Sequence, residues 1–523
     1  MRTLGALIPT TDAAPKTAAT AGVALLHRGG FVRSPSSRSP TWLPLGNLVL
    51  ANIETIVREE LAVIAAHEIS GGKCWTSTSM ADEAAVLLRS CQLSAKSLPI
   101  SVFQLAGERL TARVVAFDRA DKWAAATAAR LEAAVRGVLA RSGVVPTAAD
   151  APGPARVLWV ADERGASEVC LDPESGYAAT PDVAIRAVAN VDHDRTGEDP
   201  SSVLTPNVRT VSDVAAELGV ATASIIKSIV AVADGTPVLA CVAGDRQLSL
   251  PLLKDALGAF EVRLADDTEV ASHAGCEPGF VGPIDSRIPV IADLELRGAS
   301  GLVCGAGEQD THLRGVELER DAAVEKWGVI SVAKPGDCAE GSGDPFAWLR
   351  VAILGSVGGG SQRPARAAKL AIADASGEAT PLATTAEIDL AGVLLAVAER
   401  FAGPGGIAWP VAVAPFEASI SVMKTTDAAC AKAGESLYRD LSDLGISVLL
   451  DNRASRAVTK TRDAELIGAP VRVAIGPRSM REDSVEIRAR VTDDALSCKL
   501  GESAAVIARL LAETHKKERS AWT

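Results

Sequence analysis

Arg453, Arg456, Lys460, Arg462, Arg472, Arg478 and Arg481 crowd one short stretch of an otherwise acidic chain. Such a cluster could meet the phosphates of a nucleic acid. The plainer reading is a solvated face, diluted by Asp463 and Glu465. A second set of chemically capable residues lies between 227 and 312: Lys227, Gly244, Asp245, Gly279, Gly282, Asp293, Gly305 and His312. Singly, each has an ordinary explanation. A lysine ending a helix suits the macrodipole, an aspartate after a strand caps a turn, and glycines supply positive φ. His312 alone reads as a satisfied histidine. The nine cysteines are scattered with no C-x-x-C pair and no histidines at zinc-ligand spacing. That excludes a structural zinc site from the expectations and suggests reduced cytosolic thiols. No metal ligands are assigned. There is no Walker loop, Rossmann fingerprint, G-x-S-x-G or internal repeat.

The elements that must carry these residues follow from periodicity. Leu50, Ile53, Val57, Leu61 and Ile64 fall on one helical face within residues 47–67, and stretches 81–93 and 121–140 also read as amphipathic helices. The Pro/Ala-rich stretch 145–155 reads as a connection, and the segments 336–343 and 358–360 as loops. Near Thr205 a compact α/β unit begins. Thr210 with Asp213 opens a helix that Gly219 stops. A short helix ends at Lys227, and two strands follow around an Asp-Gly-Thr turn. Further strands are expected at 289–293 and 301–304. Beyond Pro410 the pattern becomes βαβαβ, which predicts a mostly parallel sheet. With 523 residues, three or four domains are expected. The net charge of −12 disfavours a general nucleic-acid coat and leaves any RNA contact to local patches. No apolar run reaches the length of a membrane span and no secretory h-region opens the chain, so a cytoplasmic protein without membrane or DNA partners is expected.

Several blocks go further. MRT, LLHRGGFVR (25–33), TWLPLG (41–46) and NIETIVREEL (52–61) resemble the start of bacterial prolyl-tRNA synthetases. GIAWPVAVAPFEASI (406–420), LLDNR (449–453) and DAELIGAP (463–470) resemble that family's anticodon-binding domain, and residues from about 200 to 325 resemble its inserted, YbaK-like editing domain. The resemblance implies a class II synthetase-like antiparallel-sheet core split by the insert, within an α/β (α+β) multidomain protein. The boundaries expected are 1–199 and 329–408 for the core, 200–328 for the editing domain and 409–523 for the anticodon-binding-like domain.

Against that family the activation motifs are degraded. After the motif 1 helix, Gly72 stands where a proline is expected. Ser79-Met80-Ala81-Asp82 stands for the proline-recognising T-x-E loop. Arg109-Leu110-Thr111-Ala112 stands for motif 2, and Arg113-Val114-Val115-Ala116-Phe117 follows at once, where the family has a loop and then R-x-R-E-F. The motif 3 helix opens Glu387-Ile388-Asp389-Leu390-Ala391-Gly392, with acids for both glycines and a glycine for the arginine. Adenylation needs fixed cations and Mg²⁺ around the phosphorus, and loss of one such donor costs roughly 3 kcal/mol.

The editing block keeps the family's order. On the resemblance, Lys227 holds the charged 3′ end of the tRNA. The loop with Gly279 and Gly282 presents N–H groups to the ester carbonyl, and Asp293 and His312 line a pocket that admits alanine but rejects proline. A bound water, helped by the tRNA's own hydroxyl, attacks. Gly244, Asp245 and Gly305 complete the substrate site, and Gly307 departs from the usual Asn or Asp. The expectation is hydrolysis of Ala-tRNA(Pro) in trans, without ATP, Mg²⁺ or another cofactor. The tRNA meets Arg453, Arg456, Lys460 and Arg462, and a homodimer or association with a full-length synthetase is open. Two alternatives remain: a non-catalytic pseudo-synthetase binding tRNA or a partner synthetase, and a working proline–tRNA ligase that uses ATP and Mg²⁺.

Overall fold

The computed structural model describes every residue except 3–6, 35–39, 92, 107–109, 120, 154, 189–198, 209, 375–376, 491–494 and 523. Arg109 lies outside the described residues. The chain forms two compact units: Met1–Thr147 with Leu158–Val160 and Ile353–Thr523, and Ala148–Val157 with Ala161–Ala352.

In the first unit an antiparallel sheet is built from Ile100–Ala106, Thr111–Asp118, Leu382–Asp389 and the second half of Ala347–Ser361. The short strand Ala66–Glu68 joins its edge in parallel. Helices Pro44–Val63, Asp121–Arg141 and Leu390–Arg400 pack with this sheet. The helix read from residue 47 starts slightly earlier, because Pro44 sits at the first turn, where its missing N–H costs nothing. The glycine run 358–360 is strand, not loop. A Cβ on Gly355 would lie 2.6 Å from Val135 Cγ1 and one on Gly360 2.8 Å from Ala124 Cβ, so glycine here lets a helix approach the sheet closely. The 145–155 connection also contains a strand, Thr147–Ala151, which belongs to the second unit from Ala148 on and whose Ala149 and Ala151 alternate inward.

The C-terminal part of this unit has the parallel order Val448–Asp451, Ala418–Val422, Val471–Ile475. Two antiparallel strands extend it, Ser484–Ala489 and Ala495–Lys499, and the helix Ser503–Trp522 packs on Ala428–Asp443. The βαβαβ expectation holds as far as Ile475, and beyond it the sheet is mixed.

The second unit holds a five-stranded sheet in the order Val262–Leu264, Ile226–Ala233, Thr236–Ala243, Val290–Asp293, Val324–Gly328. Beside it lies a three-stranded sheet, Ser201–Leu204, Thr311–Val316, Leu302–Gly305. Val/Ile/Ala-rich runs make the central hairpin, and Asp234 and Gly235, both at positive φ, make its turn. Thr210 caps the helix Val211–Leu218 and Gly219 ends it at φ 64°, as expected. Cys241 and Cys304 are buried in the core with Ile226, Leu239, Ala292 and Val316. Burial pushes the Cys241 thiol up to about 12.

Candidate functional site

All the residues singled out between 227 and 312 lie in the second unit. Lys227 is not at a helix end. A 3-10 turn, Thr222–Ser224, precedes it, and Lys227 is the second residue of the Ile226–Ala233 strand, opposite Val242. The lysine's preference for a helix C-terminus therefore plays no part. Its half-buried amine donates to Arg246 O at 2.5 Å. Burial lowers its pKa, opposed by the nearby Asp245 carboxylate. Asp245 is exposed and ion-paired to Lys334. Gly244 is forced by close packing, since a Cβ there would lie 2.4 Å from Thr222 O.

Gly279, Gly282, Gly305 and His312 form a second cluster. The segment from Gly279, at φ 98°, to Gly282 lies on the end of the Leu302–Gly305 strand. A Cβ on Gly282 would sit 1.9 Å from Gly305 O, and one on Gly305 2.4 Å from Phe280 O. Gly307 N donates to Phe280 O at 2.9 Å, which pins the loop. His312 is directly across the ladder from Gly305 and packs edge-on to Phe280 with centroids 6.1 Å apart. Its Nδ1 shares a 2.7 Å hydrogen bond with Thr205 Oγ1, and burial lowers its pKa, so the ring is neutral at pH 7. The two clusters are joined through the backbone by the Ile225–Val303 bridge.

Asp293 belongs to neither open cluster. It is fully buried, caps the 3-10 turn Leu294–Leu296, and accepts from Arg186 Nη2 at 2.8 Å and Ile330 N at 2.9 Å. A carboxylate so occupied holds the fold together, so the pocket-lining role expected of it is corrected. Sequence reasoning also missed the surrounding network. Arg186 reaches Asp293, Glu295 and Ser331, and Arg246 forms ion pairs with Glu295 and Asp337. Burial alone would raise the Asp337 carboxyl, but the Arg246 hydrogen bonds, the Lys334 N–H and the charges of Arg246 and Arg186 together hold it low. An arginine in GDR after a strand, with an acid two residues beyond PVIAD, was the only signal available.

The C-terminal cations are less free than their spacing suggests. Lys460 is only 1 % exposed and its Nζ donates to Val422 O at 2.6 Å, so it cannot meet a phosphate. Arg453 is ion-paired to Asp451 and Asp463, and Arg462 to Asp463 and Asp12. Arg456 is exposed at the helix start. In the core, Arg113 is ion-paired to Glu387 across the sheet and donates to Trp75 O, while Ser77 Oγ donates to Glu387 at 2.9 Å. Glu387 and Ile388 are strand residues. The helix opens at Leu390 with Asp389 as its cap, accepting from Gly392 N, which corrects the expected opening at Glu387. Gly72 is exposed, and Asp82 is ion-paired to Arg363. A groove of about 690 Å³ lies against the C-terminal helix, lined by Leu444, Ile446, Leu511 and His515 among others.

Residues 205–321 match the aminoacyl-tRNA editing domain family and residues 411–510 the anticodon binding domain family. The chain is 28 % identical over 564 residues to the proline–tRNA ligase of Bacillus subtilis (strain 168), covering 97 % of this chain and 100 % of that one. To the proline–tRNA ligase of Thermotoga maritima it is 27 % identical over 553 residues, covering 96 % of each. Among solved structures it is similar to prolyl-tRNA synthetase from Cryptosporidium parvum complexed with halofuginone and AMPPNP. There the TM-score is 0.52 and the identity 8 %, over 99 % of this chain and 81 % of that chain, a likeness of fold. The chain thus has the antiparallel-core fold of that synthetase, an editing domain and an anticodon-binding domain, and the latter two imply a tRNA partner. No helix among the described residues is long and apolar enough to cross a membrane.

Proposed function

We propose that this chain, similar along nearly its whole length to prolyl-tRNA synthetases, hydrolyses alanine mistakenly esterified to tRNA(Pro) and does not itself activate proline. The observation that carries the reading is the Gly279–Gly282 loop seated on Gly305 beside the neutral His312, in one domain with a half-buried lysine. Such a loop offers fixed backbone N–H groups where an ester oxygen would gain charge. Lys227 supplies a cation for the phosphate or ribose of the terminal nucleotide. His312, tied to Thr205, shapes the pocket as a neutral group. Asp293 supports the strand end from behind. Water is the nucleophile, and the tRNA hydroxyl takes part in moving its proton. Domain limits of 200–328 for editing and 409–523 for anticodon binding, with the core on either side, suit this reading, as does a cytoplasmic location.

The loss of activation is supported by Glu387. Its carboxylate neutralises Arg113 on the core sheet, and Asp389 stands where the helix begins, so that surface presents acids where a triphosphate needs cations. A working ligase is favoured by one fact, the length over which the chain matches proline–tRNA ligases. The deciding experiment measures deacylation of Ala-tRNA(Pro), with Pro-tRNA(Pro) as control, by the intact chain and by Lys227→Ala. Loss of alanine alone, reduced at least tenfold by the substitution, supports the editing reading. Stoichiometric tRNA binding with no hydrolysis leaves a tRNA-binding pseudo-synthetase. Proline-dependent ATP–pyrophosphate exchange would restore the ligase.

A further inference from the structure

Lys227 is held by a residue that the hydrolytic reading does not use. Its amine meets the main-chain carbonyl of Arg246 at 2.5 Å, and Arg246 is itself immobilised from two directions. Its N–H closes a turn onto Ala243 O at 2.9 Å. Its guanidinium is 4 % exposed and forks onto Asp337, with contacts of 2.5 and 2.8 Å, and onto Glu295 at 2.7 Å. Glu295 also accepts from Arg186 at 3.1 Å, and Arg186 holds Asp293. Four separate stretches of chain meet here. Two of them, carrying Arg186 and Asp337, lie outside the 205–321 stretch that matches the editing family.

We propose that Arg246 is a positioning residue for Lys227, and that Arg186 and Asp337 complete the site from the segments flanking the editing domain. The proposal rests on the reading of Lys227 as a residue of the hydrolytic site. A lysine stem has four rotatable bonds and takes its place from its acceptor. Here the acceptor is a backbone carbonyl, so it is only as well placed as the Arg246 turn. A bidentate carboxylate–guanidinium pair fixes both distance and angle. With Asp337 neutralised, Arg246 keeps only Glu295, which it shares with Arg186, and the carbonyl loses its fixed position. A displacement of about 1 Å at a reacting group can cost on the order of a hundredfold in rate.

The test uses the full chain and Asp337→Asn, Arg246→Lys, Lys227→Ala and the double variant Lys227→Ala/Asp337→Asn, with Arg297→Gln, from an exposed ion pair, as control. Two readouts are taken: deacylation of Ala-tRNA(Pro), and the rate at which acetic anhydride acetylates Lys227 across pH, followed by mass spectrometry. The charged groups facing the amine are Asp245, with its partner Lys334, and Arg246. Asp337→Asn is expected to lower kcat by roughly tenfold or more with KM for tRNA within about twofold. It is also expected to change the pH profile of Lys227 acetylation, whereas the double variant should be no slower than Lys227→Ala. Arg246→Lys keeps a cation without the fork and should fall between the intact chain and Asp337→Asn. Should Asp337→Asn lose its circular dichroism, Arg246→Lys carries both readouts. Full additivity with Lys227→Ala, or an unchanged acetylation profile, would overturn the proposal. If the intact chain hydrolyses nothing, the editing reading fails, and the acetylation profile alone decides whether Arg246 positions Lys227.

Discussion

Gly282 and Gly305 leave no room for a side chain between them, and that single contact sets the shape of the loop above His312. Gly282→Ala should lower stability by about 1–3 kcal/mol through overpacking. It should also abolish deacylation out of proportion to that loss, checked by thermal unfolding and by rate. The cations of the C-terminal domain divide in the same residue-by-residue way. Arg456→Ala should weaken tRNA binding and reduce the slope of log affinity against log salt by about one. Lys460→Met should leave affinity unchanged, because its amine is already spent on the carbonyls of Val422 and Asp451. The sequence cannot separate these two residues. Both are basic and four apart, and only the strands that converge on Lys460 make it interior. Asp293 misleads for the same reason: a strand-end acid looks functional until its distant partner, Arg186, is seen.

At the scale of elements, helices and hairpins were legible where a local rule governs them. Thr210 and Gly219 bound their helix, and Asp234-Gly235 turns its hairpin, because caps and positive-φ turns are decided by neighbouring residues. What failed depended on remote packing. The glycines at 358–360 are strand because a helix lies close against them, and Thr147–Ala151 is strand although alanine signals β weakly. The final helix, Ser503–Trp522, carries its own consequence. Glu518 accepts from Val411 N at 3.0 Å, and burial lifts its carboxyl to about 7 from an ordinary 4.5. The folded chain therefore favours the protonated form. That contribution to stability is complete below about 4.5 and is lost as pH rises through about 7. Glu518→Gln, which keeps an acceptor without the charge, should raise Tm by about 2 °C at pH 8 and leave it unchanged at pH 4, as calorimetry would read.

At the scale of the whole molecule, the order of the segments that match the editing and anticodon-binding families was legible because several sequence blocks resemble those families in that order, whereas the partners of core residues had to be read from pairs of facing strands. Arg113 and Glu387 are far apart in the chain and adjacent in the sheet, where the carboxylate pairs with the guanidinium. The intact protein should show no proline-dependent ATP–pyrophosphate exchange above background. Its deacylation should proceed unchanged in excess EDTA without ATP. Exchange at rates ordinary for a ligase would overturn the first expectation, and loss of deacylation in EDTA the second.

The thiols of Cys241 and Cys304 are sealed in the core of the editing unit, while Cys74 and Cys91 stand exposed. An alkylating reagent modifies the exposed pair at once and reaches the sealed pair only through rare openings of that unit. With closing fast, the labelling rate of Cys241 divided by that of a free thiol is an equilibrium constant for opening. The molecule thus contains a gauge of the editing unit's own stability, readable under native conditions and without denaturant.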